Sequence, residues 1–156
     1  MINKNYLKLL RSKDKIKKNN FIYKILAKRI VDSIDLLKYQ INNAAEIGIN
    51  ENEIYNYLKK KFIDLNIDRG DFCISKIESK KNFKQIDLDK LNLKDNYYNL
   101  IYSNCFLHLA NNFETTLKRI FNSLKSNGFI IIAIPDKESM FQLLNSMYET
   151  DLYFYN

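Results

Sequence analysis

The sequence predicts an α/β fold: a mostly parallel, doubly wound sheet with helices on both faces. Three observations carry that expectation. Segments of helical periodicity alternate with short strand-like segments through most of the chain, and parallel neighbours need crossover connections of that kind. The run "FIIIAIP", Phe129–Pro135, is apolar on both faces, as central parallel strands are. The stretch "NAAEIGINENEIYNYL", Asn43–Leu58, has the outline of a strand, a tight turn and a helix N-terminus, the arrangement that holds a nucleotide-like cofactor.

Residues 1–19 are basic and weakly periodic and read as an exposed arm; residues 20–156 read as one domain. From Asn20, Ile22, Leu26, Ile30, Ile34 and Leu37 recur on one helical face. Strand one is Ala44–Ile47, and a helix follows to about Lys60 with Ile54, Tyr57 and Leu58 inward. "FIDLNID", Phe62–Asp68, alternates like strand two. Asp71–Lys80 reads as a short helix; a second parse instead extends the preceding helix to Asn66 and makes "FCISKI" strand two. "FKQID" is strand three and "YNLIYSN", Tyr98–Asn104, strand four. Asn111 with Glu114 three residues on has the capping-box spacing. Phe113, Leu117, Ile120, Phe121 and Leu124 form that helix's apolar stripe, and Asn127-Gly128 stops it. After the fifth strand, Pro135-Asp136 opens a last helix with Met140, Leu143, Leu144 and Met147 inward.

Composition narrows the function classes. At 156 residues with 46% hydrophobic content, a folded single domain is expected rather than a disordered chain. The +7 formal charge sits largely in the first thirty residues, and no basic motif interleaved with aromatics accompanies it, which argues against nucleic acid. Cys73, Cys105 and the single His108 lack metal-ligand spacing, so no metal is expected. The longest apolar run, Phe129–Ile134, is too short to span a bilayer, and the N-terminus resembles neither a secretory signal nor a transit peptide. A reducing compartment is expected, the cytoplasm or, in a eukaryote, the mitochondrial matrix.

The segment "YYNLIYSNCFLHLANNFETTLKRIFNSLKSNGFIIIAIPDKESMFQL", Tyr97–Leu143, carries a strand-four phrase, a Leu-His pair, Asn and an aromatic, a helix and strand five in order. With "KNNFIYKILAKRIVDSIDLLK" as leading helix, the sequence resembles the class I S-adenosylmethionine-dependent methyltransferases. Within them it is most similar to the group of malonyl-carrier-protein methyltransferases and complex I assembly factors with a methyltransferase fold. The resemblance implies a Rossmann-like methyltransferase fold, shortened at its C-terminal edge because the chain ends at Asn156 before the family's last two strands.

It also implies a site. Glu46 and Gly48 match the end of strand one and the first loop glycine; Asn50 and Asn52 stand where two further glycines belong. Asp68, twenty residues after Gly48, matches the acid that binds both ribose hydroxyls, and a carboxylate can accept both bonds of a cis-diol. Asp87 matches the acid at the adenine amino group, with Leu88 at the adjacent backbone amide and Asn104 beside the sulfonium. His108 is the one imidazole available as a general base, or else a structural hydrogen-bonding residue. The cofactor implied is S-adenosylmethionine, weakly bound by a degenerate loop. The acceptor would be a carrier protein, a respiratory subunit or a small molecule. Two other readings stand beside the enzyme: a non-catalytic assembly or scaffold protein, and the N-terminal fragment of a split methyltransferase. The unfinished sheet edge implies a homodimer or a protein partner.

Overall fold

The computed structural model describes residues 21–50, 52–73 and 83–136, together with residues 3, 5, 6, 9, 138, 139, 141 and 145. Five strands form one all-parallel sheet in the order β3-β2-β1-β4-β5. In chain order the elements are α1 (Phe21–Leu36), β1 (Asn43–Ile47), α2 (Glu53–Lys61), β2 (Asn66–Asp71), β3 (Phe83–Gln85), β4 (Tyr98–Asn104), α3 (Phe113–Ser123) and β5 (Leu124–Ala133). Short 3-10 turns cover Leu88–Lys90 and Leu107–Leu109. β1 lies central because its apolar residues serve both faces: Ala44 joins the core under α1 and α2, while Ala45 and Ile47 join the opposite core with Ile101, Phe106 and Ile120. Each fully buried Leu or Ile contributes about 1.5–3 kcal/mol relative to exposure.

Several sequence expectations are corrected. The face of α1 that packs is Ala27, Ile30 and Ile34; Ile22 stands 53% exposed, and Leu37 lies just beyond the helix. β2 begins four residues later than expected. Phe62 is instead the C-cap of α2, its N–H donating to the Leu58 carbonyl at 2.9 Å, and Ile63 sits 89% exposed in the turn. The strand then runs through Asn66-Ile67-Asp68-Arg69-Gly70-Asp71, three residues past the Asp68 at which strand two was expected to end. It is held there by pairing with β1 from Asn43↔Asn66 to Ile47↔Gly70. Asp71 is therefore strand, and Phe72 and Cys73 follow as a bend, where a helix was expected; residues 74–80 of that expected helix lie outside the described residues.

The N-cap of α3 is Asn112, not Asn111, its side chain accepting from the Thr115 N–H at 3.0 Å. Thr116, Ile120 and Ser123 face inward, whereas Phe121 is 57% exposed. α3 ends at Ser123, before Asn127-Gly128, and the chain enters β5 at once. The register then slips: Tyr98 pairs with Leu124, but Leu100 pairs with Phe129. Gly128 permits this bulge, since a Cβ there would stand 2.7 Å from the Tyr98 carbonyl oxygen. β5 is also an edge strand among the described residues, with Phe129–Ala133 half-buried, rather than a fully buried central strand. A both-faces apolar run reports two covered faces; it does not report a second neighbour. Of the expected last helix, the inward residues Met140, Leu143, Leu144 and Met147 lie outside the described residues. No helix among the described residues is long and apolar enough to cross a membrane.

Candidate functional site

The connections after β1 lead to β2 and β3 on one side, while β4 and β5 lie on the other, so the chain reverses direction across the sheet between β1 and β4. A crevice at the C-terminal ends of the strands opens at such a reversal. Gly48 closes β1 at φ 87°, a conformation that side-chain-bearing residues rarely adopt. Any Cβ at Gly48 would fall 2.1 Å from the Phe106 ring, so glycine is required twice over. Its N–H donates to the Gly70 carbonyl at 2.7 Å, and the next amide, Ile49, donates to Asp71 Oδ2 at 2.7 Å. Asp71 Oδ1 accepts from the Cys73 N–H at 3.2 Å. The loop backbone and the last residue of β2 are thus fastened together.

Both asparagines in glycine positions are held by their side chains. Asn50 Nδ2 donates to the Asn104 carbonyl across the crevice. Asn52, the residue before α2, accepts from Arg69 Nη2 at 2.9 Å. Arg69 is 4% exposed and its Nε donates to Glu46, also buried. The guanidinium lies between two rings, 4.3 Å from the Tyr55 centroid and 4.6 Å from that of Phe83. Burial pushes the Glu46 carboxyl up to about 7, while the adjacent Arg69 charge pulls the other way. Tyr102 is buried against this pair and its phenol is held well above its ordinary range, first by burial and then by the Glu46 charge.

The structure separates the two predicted acids. Asp68 is the third residue of β2, paired with Ala45 in mid-strand and three residues short of the strand's C-terminal end. Its carboxylate accepts from Tyr98 Oη at 2.8 Å, with Lys94 Nζ 4.0 Å away. Burial and that carboxylate raise the Tyr98 phenol. Asp71 occupies the strand end where Asp68 was expected. Asp87 follows β3 as N-cap of the 3-10 turn, accepting from the Asp89 N–H at 3.1 Å, and Leu88 is fully buried beside it. The Ile86 N–H donates to the Asp71 carbonyl at 2.9 Å, which brings the Asp87 segment to the same edge. The loop after Gly48, Asp71, the Asp87–Leu88 segment and Asn104 thus meet at the strand ends, while Asp68 lies in mid-strand, lining with Glu46, Gly70, Ile86 and Tyr98 a cavity beside them.

At the mouth of β4, Asn104 is 4% exposed; its Nδ2 donates to the Tyr23 carbonyl of α1 at 2.9 Å, and its Oδ1 is buried without a hydrogen bond among the described residues. Cys105 follows at φ 50°, its thiol half-buried and raised by that burial. His108 is exposed on the Leu107–Leu109 turn beyond it. Two residues bonded into the loop and strand ends, Asp71 and Arg69, are not among those the sequence singles out. The available signal was that Glu46 in an apolar strand needs a buried cation. Among the described residues, no group of three or more His, Cys, Asp or Glu side chains could hold a metal.

A search of curated proteins finds no match. Among solved structures, the chain is similar to a phosphoethanolamine N-methyltransferase of Haemonchus contortus in complex with S-adenosylhomocysteine, with TM-score 0.68 and 13% identity over 93% of this chain and 40% of that one. It is similar to a candidate S-adenosyl-L-methionine-dependent methyltransferase of Methanococcus maripaludis, with TM-score 0.56 and 23% identity over 98% of this chain and 74% of that one. A candidate sarcosine dimethylglycine methyltransferase of Galdieria sulphuraria gives TM-score 0.58 and 18% identity over 79% of this chain. The chain spans 54% of the Galdieria protein's length. The five-strand parallel sheet matches the Rossmann-like methyltransferase fold of these neighbours. Residues 21–132 match the family model described as a methyltransferase domain, and the chain belongs to that family.

Proposed function

We propose that this chain carries out S-adenosylmethionine-dependent methyl transfer, with the cofactor lying across the C-terminal ends of β1, β2 and β3. The observation that carries the reading is the Asp71 carboxylate at the end of β2, bonded to the amide after Gly48. A carboxylate so placed can accept from both hydroxyls of a ribose. Asp87 and the Leu88 amide would meet the adenine edge, and Gly48 lets the backbone approach the ligand without a side chain between. Glu46 and Asn104 line the crevice end where the sulfonium would lie. S-adenosylmethionine supplies an electrophilic methyl group; the protein's contribution is to hold the acceptor in line with it and to keep water out.

This assignment replaces Asp68 by Asp71 as the ribose acid and keeps the other expected positions. Asp68, bonded to Tyr98 in mid-strand, acts in packing. His108, exposed on the turn after β4, is the residue to test as a base. The acceptor is carried as a proposal in two classes. The Tyr97–Leu143 resemblance favours a group borne on a carrier protein or respiratory subunit. One solved neighbour instead holds phosphomonomethylethanolamine, a small amine. β5, with β4 as its one neighbour among the described residues, leaves an edge that a second copy of the chain can pair with, and we propose a homodimer on that ground.

Ligand-dependent stabilisation tests the cofactor reading. S-adenosylhomocysteine at a hundred times its dissociation constant should add about 2.7 kcal/mol. For a domain of this size that raises Tm by roughly 5–10 °C. No shift at millimolar ligand would favour the second reading, a scaffold that keeps the fold; the side-chain bonds that occupy the loop favour it too.

A further inference from the structure

Resting on the cofactor reading above, we infer that Asn50 is a latch: its side-chain amide closes the crevice between β1 and β4 in the free protein and must swing away before a ligand enters. The bond runs from the loop after β1 to the carbonyl of Asn104 at the end of β4, so it spans the point where the sheet reverses its connections. Asn104 is in turn tied to the first turn of α1 through Tyr23. Three elements that would have to surround a ligand are therefore joined to each other by two asparagine side chains.

The latch is local and reversible for physical reasons. Asn50 and Asn52 sit two residues apart in one loop, yet they are fixed differently. Asn52 accepts from Arg69, whose other partners are the buried Glu46 and two aromatic rings, so moving it would unpair a buried cation. The Asn50 contact is a neutral amide–carbonyl bond at a half-buried position, the weaker class of hydrogen bond. Breaking this bond leaves the Arg69 cluster standing. Beside the bridged carbonyl, Asn104 Oδ1 is buried with no hydrogen bond among the described residues. An N–H donor of an entering ligand gains two acceptors on one residue, the carbonyl oxygen that Asn50 gives up and this Oδ1. The loop amide thus occupies, from within, a place that suits a ligand's donor.

The test compares wild type, Asn50→Ala and Asn50→Asp. Alanine removes the amide while keeping the backbone no freer than a side-chain residue allows, and aspartate is isosteric but cannot donate at neutral pH. Two quantities are read: hydrogen exchange of the loop amides in free protein, and S-adenosylhomocysteine affinity by calorimetry. One neutral bond lost implies exchange faster by about three- to tenfold in both variants, with affinity for Asn50→Ala tighter by a similar factor. Faster exchange with unchanged or weaker affinity would overturn the latch alone, because the bond would then shape the site rather than block it. Unchanged exchange in both variants would overturn it as well. Absence of binding in every variant would overturn the cofactor reading and the latch with it.

Discussion

Arg69 is the side chain whose removal the structure makes most informative. Its guanidinium neutralises Glu46 at a position where both side chains are at most 4% exposed, and it also bonds Asn52 and stacks on Tyr55 and Phe83. Arg69→Met keeps much of the stem's volume but strands a buried carboxylate, a change that costs about 3–5 kcal/mol. The lost ring contacts add roughly 0.5–2 kcal/mol. Against a total stability of about 5–15 kcal/mol this is a large fraction, and Tm should fall by roughly 10 °C or more. The loss should depend on pH in a defined direction. Burial already raises Glu46 to about 7 with Arg69 present, and removing the cation raises it further. Protonated Glu46 no longer needs a partner, so the Arg69→Met penalty should shrink as pH falls towards about 7 and stay level below it, where both folded proteins hold the proton. Urea titrations at several pH values measure it. A penalty below about 1 kcal/mol, or one that grows on acidification, would refute the claim that Arg69 exists to neutralise Glu46.

The remaining predictions are narrower. In wild type, the raised Glu46 group means the folded state binds the extra proton between about 4.5 and 7, so its contribution to stability is present below that window and lost as pH rises through it. Glu46→Gln should flatten that part of the stability–pH curve, read by thermal melts. Gly48→Ala should cost roughly 2–4 kcal/mol, from the left-handed backbone and the collision with Phe106, in chemical denaturation. Asn112→Ala should cost about 1 kcal/mol in the same assay as an N-cap, and Asn111→Ala distinctly less. Light scattering should report a dimer; a monomer at high concentration would remove the proposal that β5 pairs with a second copy.

What the sequence made legible follows from which interactions are local. β4 was placed to the residue because its seven positions are all buried, and β1 to within one. Apolar spacing placed the helices after Asn20, after Gly48 and after Asn111, but not the one expected from Asp71. β2 was misplaced because its last four residues are Asp68, Arg69, Gly70 and Asp71, and what makes them strand is a partner, Glu46, 23 residues upstream of Arg69. That displacement is why the acid expected at the end of β2 is Asp68 in the sequence, whereas Asp71 stands there in the structure. The Asn50 and Asn52 positions were visible as missing glycines, but their bonds to Asn104 and Arg69 join distant elements and leave no periodic trace. β5 reads the same whether it has one neighbour or two, because hydropathy reports faces and not edges.

Calorimetric titration of S-adenosylhomocysteine into wild type, Asp71→Ala and Asp68→Ala tests the central claim most directly. A carboxylate accepting from ribose hydroxyls is worth about 2–3 kcal/mol, so Asp71→Ala should weaken binding by roughly thirty- to a hundredfold while Asp68→Ala stays within about threefold of wild type. The reverse pattern, or equal affinity for all three proteins, would contradict a cofactor held at the end of β2.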